Sequence, residues 1–236
     1  MVFDPLYILM MLPGMLIAGW AQSKIASAYR EGSRYRASSG ATGAQAAAAI
    51  MQAEGVRDVP IEPVAGQLTD HYDPAKKVLR LSETNYGYNT LAAVGVAAHE
   101  AGHALQDAHH YPLMTVRNLI VPLASIGPNL SFVALIVGMM AHSMLFIWAG
   151  IILFSTTVLF QLVNLPVEFD ASRRARRELQ RTGLISPEED QVVGKVLNAA
   201  AMTYVAATLT SIFQLLYFVL RAMGSSSSNR RDDDYV

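Results

Sequence analysis

His99, Glu100 and His103 stand in the order HEAGH, a stretch whose residue types and spacing describe a reaction. A spacing of four puts two imidazoles on one face of a helix, where both can ligate a single zinc ion, with the intervening Glu beside the open coordination position. Zinc lowers the pKa of a bound water to about 7. A carboxylate at Glu100 can take that proton as the water attacks a polarised carbonyl, then pass it to the leaving amine. Composition alone yields the pattern about 0.006 times per chain, so we read a metal-hydrolase motif rather than two His that merely pack on a helix.

Two His leave such a site incomplete, since a catalytic zinc normally takes three protein ligands and one water. The chain has no Cys, which removes thiolate ligands, thiol catalysis and any disulfide framework and leaves His, Asp and Glu. Glu168, in the run NLPVEFDASRRARREL, directly follows an apolar stretch and falls on the same expected side of a membrane as the HEAGH helix. The other use for its carboxylate is an ion pair with Arg173 or Arg176. A rival ligand is His109, which holds the place of the third His in the longer motif HExxHxxGxxH. That motif reverses the chain at a Gly, and here the place is taken by Gln106, whose Cβ disfavours positive φ. His71, His110 and His142 have no metal spacing.

The elements that must position these residues follow from composition. Hydrophobic residues make up 52% of the 236 positions and charged ones 16%, against about 25% charged in soluble domains. This argues for an integral membrane protein. A net charge of -1 supplies no basic field for nucleic acid. Four windows approach the roughly 20 apolar residues that a membrane-crossing helix needs, at residues 5–21, 119–141, 144–165 and 199–223. The first carries Asp4 and no Lys or Arg before its apolar run, and reads as a retained anchor rather than a cleaved signal peptide. The second and third are separated by a few residues around His142 and Ser143, which makes them a helical hairpin. Ser186, Pro187 and Glu189 form a capping box with Pro at the first helical position, so one helix is expected over 187–223.

The expected division is therefore a first transmembrane helix at 1–22, a zincin-like unit at 23–117 and a transmembrane hairpin at 118–165. A basic segment carrying the third ligand follows at 166–198, then a last transmembrane helix at 199–223 and a disordered tail at 224–236. Nine Lys and Arg lie in residues 22–118 and six in 166–198, against three on the opposite side, which places both large segments in the cytoplasm. Within 23–117, the Ala-rich residues 41–54 read as a helix ended by Gly55. Residues 59–64, 67–72 and 77–81 read as extended, with a turn at Asp73, Pro74 and Ala75, and 89–107 as the helix that carries HEAGH. The fold class is mainly α: a polytopic membrane protein with about four transmembrane helices and a small α+β cytoplasmic unit. The strands around 68–72 and 77–81 offer a sheet edge for an extended peptide. Tyr72, His71, Arg173 and Tyr204 are chemically able to stabilise an oxyanion.

The HEAGH helix, the preceding GQLTDHYDPAKKVLRLSE and the later LPVEFDASRRA together resemble the YugP-like neutral zinc metallopeptidases, a family of bacterial membrane proteins, over residues 7–221. The resemblance implies one zinc per chain in a gluzincin-type site. His99, His103 and Glu168 would be its ligands and Glu100 the general base. It also implies a membrane-embedded peptidase, multi-pass in the bacterial inner membrane. More distantly the chain resembles the HtpX and CAAX prenyl protease type, in which Asp follows the ligand Glu by four residues. Ser172 holds that place here and Asp170 lies two residues after the Glu, so Asp170 becomes the candidate orienter of a zinc-binding His. An ion pair with Arg173 or Arg174 is its other use.

The leading reading is a zinc-dependent endopeptidase acting on a protein or peptide close to the bilayer, with no nucleic-acid partner and with an oligomer or membrane-protein partner left open. Two other classes share the same zinc site: a catalytically silent membrane assembly factor, and a zinc hydrolase of a non-peptide membrane substrate. Glu100 argues against the first, because a structural zinc needs no base. A transporter is disfavoured because the apolar windows carry no embedded charge pair.

Overall fold

Backbone groups in hydrocarbon must be satisfied within their own segment, so long apolar stretches demand helices. The computed structural model describes residues 4–233, with side chains as far as residue 224. Four of its helices are long and apolar enough to cross a membrane: α1 (Pro5–Gly32), α5 (Pro112–Met140), α6 (Met144–Arg181) and α7 (Pro187–Asp233). Between α1 and α5 lie α2 (Gly43–Ala53), β1 (Ile61–Val64), β2 (His71–Asp73), β3 (Val78–Ser82), α3 (Glu83–Gly87) and α4 (Leu91–Ala108). The chain is thus mainly α and polytopic, with one small sheet. The tail expected to be disordered carries the end of α7 as far as Asp233, and its last residues lie outside the described ones.

Two compact units divide the chain. One comprises Met1–Gly19, Val116–Asn164 and Tyr204–Val236, and its described residues include most of the apolar stretches of the four long helices. Its interior joins Leu135, Ile151, Phe154 and Val158 to Tyr217 and Phe218. Small residues let its backbones approach: a Cβ on Gly150 would lie 2.7 Å from the Leu135 side chain, and the Ser131 hydroxyl donates to the Gly150 carbonyl at 2.7 Å. Close packing through small residues and interhelical hydrogen bonds is how helices associate where the solvent is as apolar as they are. Outward, Leu9, Leu16, Leu119, Ile126 and Ile152 are each more than 60% exposed, a surface that suits lipid rather than water.

The second unit, Trp20–Thr115 with Leu165–Thr203, carries HEAGH and Glu168. Thr42 and Gln45 form a capping box that starts α2, and Gly55 takes positive φ just past its end. The sheet has the order β1-β3-β2. β2 and β3 are the expected hairpin, paired antiparallel with Tyr72 opposite Leu79, whereas β1 joins β3 in parallel. Of the expected extended stretch at 67–72 only its end is strand. The loop before β2 turns through Gly66 and Leu68, both at positive φ. This loop is tied down by Asp70, whose carboxylate accepts from the Ser82 amide at 2.8 Å and from Asn85 Nδ2 at 2.9 Å; Asn85 Oδ1 in turn accepts from the Tyr29 hydroxyl.

Helix α4 starts at Thr90, whose hydroxyl accepts from the Ala93 amide. Ala97, Ala98, Ala101 and Ala104 are fully or almost fully buried, and such short side chains let neighbours approach on several sides. Helix α6 runs past Leu165 and Pro166 without interruption, so the apolar stretch and the Glu168 segment are one element. The Ser186 and Glu189 capping box that starts α7 is present, with the Ser186 amide donating to Glu189 at 2.8 Å and the Glu189 amide donating to Ser186 Oγ at 3.3 Å.

Candidate metal centre

Helical spacing alone brings His99 and His103 together, with ring centroids 4.8 Å apart and planes at 83°. Glu168 comes from α6, 69 residues after His99, and requires α4 and α6 to touch. Gly102 makes that contact: a Cβ there would stand 2.6 Å from the Ala171 carbonyl oxygen and 3.2 Å from its Cα. The Gly within HEAGH is therefore the seat of α6, one turn beyond Glu168.

At this crossing, Glu168 Oε2 lies 3.2 Å from His99 Nε2 and 3.5 Å from His103 Nε2. One atom from each of the three residues falls within 4.8 Å of the others. Ligands about 2.0–2.1 Å from a tetrahedral zinc stand about 3.3 Å apart, so the spacing of the carboxylate oxygen from each imidazole fits that ion. The side chains of His103 and Glu168 are 8% and 3% exposed and that of His99 is 14% exposed. Burial pushes the Glu168 carboxyl upward, but hydrogen bonds and charge from His103 and His99 reverse this and hold it well below the ordinary carboxylate range.

Both imidazoles are oriented from behind. His103 Nδ1 lies 2.9 Å from Gln106 Oε1. Gln106 Nε2 donates to the Val167 carbonyl at 2.8 Å and to Asp170 Oδ2 at 3.0 Å. Because the amide nitrogen is fixed by two acceptors, the amide oxygen must accept, so His103 Nδ1 carries a proton, and Nε2 is the nitrogen that would offer its lone pair to a metal. On the other ring, His99 Nδ1 lies 3.1 Å from the Ser172 hydroxyl. Asp170, the candidate orienter, stands behind Gln106, the partner of His103. Its carboxylate is taken by Arg173 Nη2 at 2.7 Å, Arg174 Nε at 2.6 Å and Gln106. Burial raises its carboxyl, while Arg174, Gln106 and Arg173 hold it below its usual value.

Sequence reasoning missed Gln106 and Ser172. Both carried a positional signal. Gln106 follows His103 by three on the same helical face, and Ser172 follows Glu168 by four.

Glu100 is buried, and its Oε2 accepts from the Tyr72 backbone amide at 3.0 Å. Since β2 pairs with β3 on its other side, this amide faces outward from the open edge of the sheet. The Tyr72 hydroxyl donates to Asp107 at 2.6 Å, Lys77 pairs with the same carboxylate, and burial together with Asp107 pushes the phenol upward. His109 is absent from the cluster. It stands at the C-terminal cap of α4, 40% exposed, with Nε2 3.8 Å from Glu54 and Nδ1 3.5 Å from Arg174. His71 is exposed and turned to the Thr69 carbonyl, Arg173 is exposed and bound to Asp170, and Tyr204 belongs to the other unit.

The chain is similar to the protein of Bacillus subtilis (strain 168) named "Putative membrane protease YugP", with 44% identity over 224 residues that cover 95% of this chain and 100% of that one. No solved structure matches the chain. Residues 7–223 match the family described as "Putative neutral zinc metallopeptidase", and the chain belongs to that family.

Proposed function

We propose that this chain is a membrane-bound zinc endopeptidase that hydrolyses proteins or peptides close to the bilayer. The observation that carries the reading is the convergence of His99, His103 and Glu168, with Glu100 next to His99 on the same helix and its buried carboxylate held by the Tyr72 amide. A metal-binding site that served only structure would have no use for that fourth group. His99 and His103 Nε2 and the Glu168 carboxylate would hold the zinc. When bound there, zinc makes a water nucleophilic near neutral pH and polarises a carbonyl.

The remaining steps belong to the chain. Glu100 takes the proton of the water as its oxygen bonds to the carbonyl carbon, and gives that proton to the amine as the C–N bond breaks. The Tyr72 backbone amide holds the Glu100 carboxylate for this transfer, and the stretch that leads into β2 pairs with the extended backbone of the substrate, so main-chain hydrogen bonds hold the peptide while one carbonyl meets the site. Gln106 and Ser172 keep both rings from turning, and burial keeps bulk water from competing.

The excess of Lys and Arg beside the apolar stretches supports a cytoplasmic location for this unit in a bacterial inner membrane. An impermeant thiol reagent tests it in a chain that has no Cys. With single Cys substitutions at Ser39 and at Ala141, only the latter is expected to react in intact cells, and reaction at Ser39 alone would invert the topology.

The deciding experiment for chemistry is Glu100→Gln. Purified parent protein should contain about one zinc and hydrolyse an unfolded protein in detergent, while the variant keeps its zinc and loses about 100-fold or more of the rate. Undiminished hydrolysis by the variant overturns the mechanism. A zinc-loaded parent that cleaves no protein overturns the peptidase reading.

A further inference from the structure

Where α1 leaves its apolar stretch and α7 enters its own, the two helices line a groove of about 490 Å³ that plays no part in the metal centre. From α1 come Trp20, Lys24, Ser27 and Glu31, spaced so that they fall on one helical face. Lys195 and Asn198 face them from α7. The groove grades from charged to apolar along its length. Lys195 Nζ bonds Glu31 at 2.9 Å at the polar end, and Trp20, 51% exposed, marks the apolar end. Eleven residues of helix separate Glu31 from Trp20, a rise of about 16 Å, which spans a headgroup layer and the top of the acyl region.

The chemistry of the walls is equally graded. Lys24 Nζ sits 5.7 Å from the centre of the Trp20 ring rather than on a carboxylate, an arrangement of the kind found where helices meet the membrane surface. Two ammonium groups against one carboxylate leave the groove with one net positive charge, and the Ser27 hydroxyl and Asn198 amide add neutral donors. A phosphodiester supplies what these groups lack, and acyl chains supply what Trp20 lacks. A zwitterionic headgroup would bring its own cation toward two lysines and gain less.

We propose that this groove is a binding site for an anionic glycerophospholipid, with Lys24 and Lys195 on the phosphate and Trp20 against the glycerol and the upper acyl chain. Basic pockets between transmembrane helices recognise anionic headgroups in this way.

The chain has two Trp, so Trp148→Phe leaves Trp20 as the single indole and turns the site into its own reporter. The full-length variant is titrated in mixed micelles with phosphatidylglycerol or phosphatidylcholine carrying brominated acyl chains, which quench indole fluorescence on contact. Quenching by phosphatidylglycerol is expected at a several-fold lower mole fraction than by phosphatidylcholine. Lys24→Gln with Lys195→Gln should abolish that preference, at about fivefold for each lysine removed. Lys24→Arg with Lys195→Arg should keep it, which separates loss of charge from loss of fold, and Arg57→Gln, an exposed charge elsewhere in the unit, should leave it unchanged. Equal quenching by the two lipids, or a preference that survives the double Gln substitution, overturns the proposal. If inorganic phosphate at millimolar concentration removes the preference as effectively as brominated phosphatidylglycerol establishes it, the site takes a free ion and the lipid assignment is overturned as well.

Discussion

Gln106 stands between the candidate metal ligand His103 and the acidic residue Asp170, with its amide oxygen 2.9 Å from the imidazole Nδ1 and its amide nitrogen 3.0 Å from the carboxylate. It is fully buried, and both polar ends of its side chain are used. A carboxylate in that place would also accept from His103 but would face Asp170 as a like charge. The amide satisfies both neighbours. Arg173 and Arg174 then neutralise Asp170 from the other side.

Gln106→Leu preserves size and removes the bond that selects the His103 tautomer. Zinc affinity, measured by competition with a chromogenic chelator, should fall about 10- to 100-fold, the usual cost of losing a partner behind a metal-binding His. Unchanged affinity would show that packing alone holds the ring.

Glu168→Ala should remove far more zinc than His109→Ala. Glu168 is buried between the two imidazoles, whereas His109 lies at the exposed end of α4. Metal analysis of both purified variants decides the point, and full retention in the Glu168 variant beside loss in the His109 variant reverses the ligand assignment.

Gly102→Ala should separate α4 from α6. The added methyl would meet the Ala171 carbonyl oxygen at 2.6 Å, a backbone atom that cannot swing aside. Destabilisation of about 1–3 kcal/mol is expected from such overpacking, together with reduced zinc content because Glu168 rides on the displaced helix. Gly87→Ala is the control, since a Cβ there meets nothing within 4 Å. Thermal unfolding of both variants, with zinc content measured alongside, tests whether the effect belongs to this contact.

Asp190, in the first turn of α7, is buried and accepts from Arg176 at 2.9 Å, which holds its carboxyl below the ordinary 3.8. A carboxyl with a depressed folded-state value stabilises above its unfolded-state value, and the contribution is lost as the pH falls through the folded-state value. Asp190→Asn should therefore cost about 2 kcal/mol at pH 7, and the difference from the parent should shrink below pH 4 as the parent carboxyl protonates. A deficit that persists undiminished at pH 2 would assign the effect to packing.

Metal retention should depend on pH in the opposite region. Imidazole ligands bind zinc only when neutral, so protons compete with the metal and the parent protein should lose zinc progressively as the pH is lowered. Dialysis across pH 8 to 4 followed by metal analysis gives the curve. Zinc that stays bound at pH 4 would point to ligands other than His99 and His103.

Local order sufficed for much of this protein. The four apolar helices, the Ser186 capping box, the β2–β3 hairpin and the pairing of His99 with His103 all arise from neighbours a few residues apart, where periodicity and capping act directly. The meeting of Glu168 with the two imidazoles, the placement of Gln106 and Ser172 against the rings and α6, the parallel addition of β1 and the contact of the Tyr72 amide with Glu100 arise from residues 18 to 73 positions apart. No local preference encodes which carboxylate among several meets an imidazole. That depends on how closely two helix backbones can approach, and here the approach is set by a hydrogen in place of a methyl at Gly102. The sequence names the chemistry by spacing on one helix, while the crossing of α4 and α6 decides what completes it.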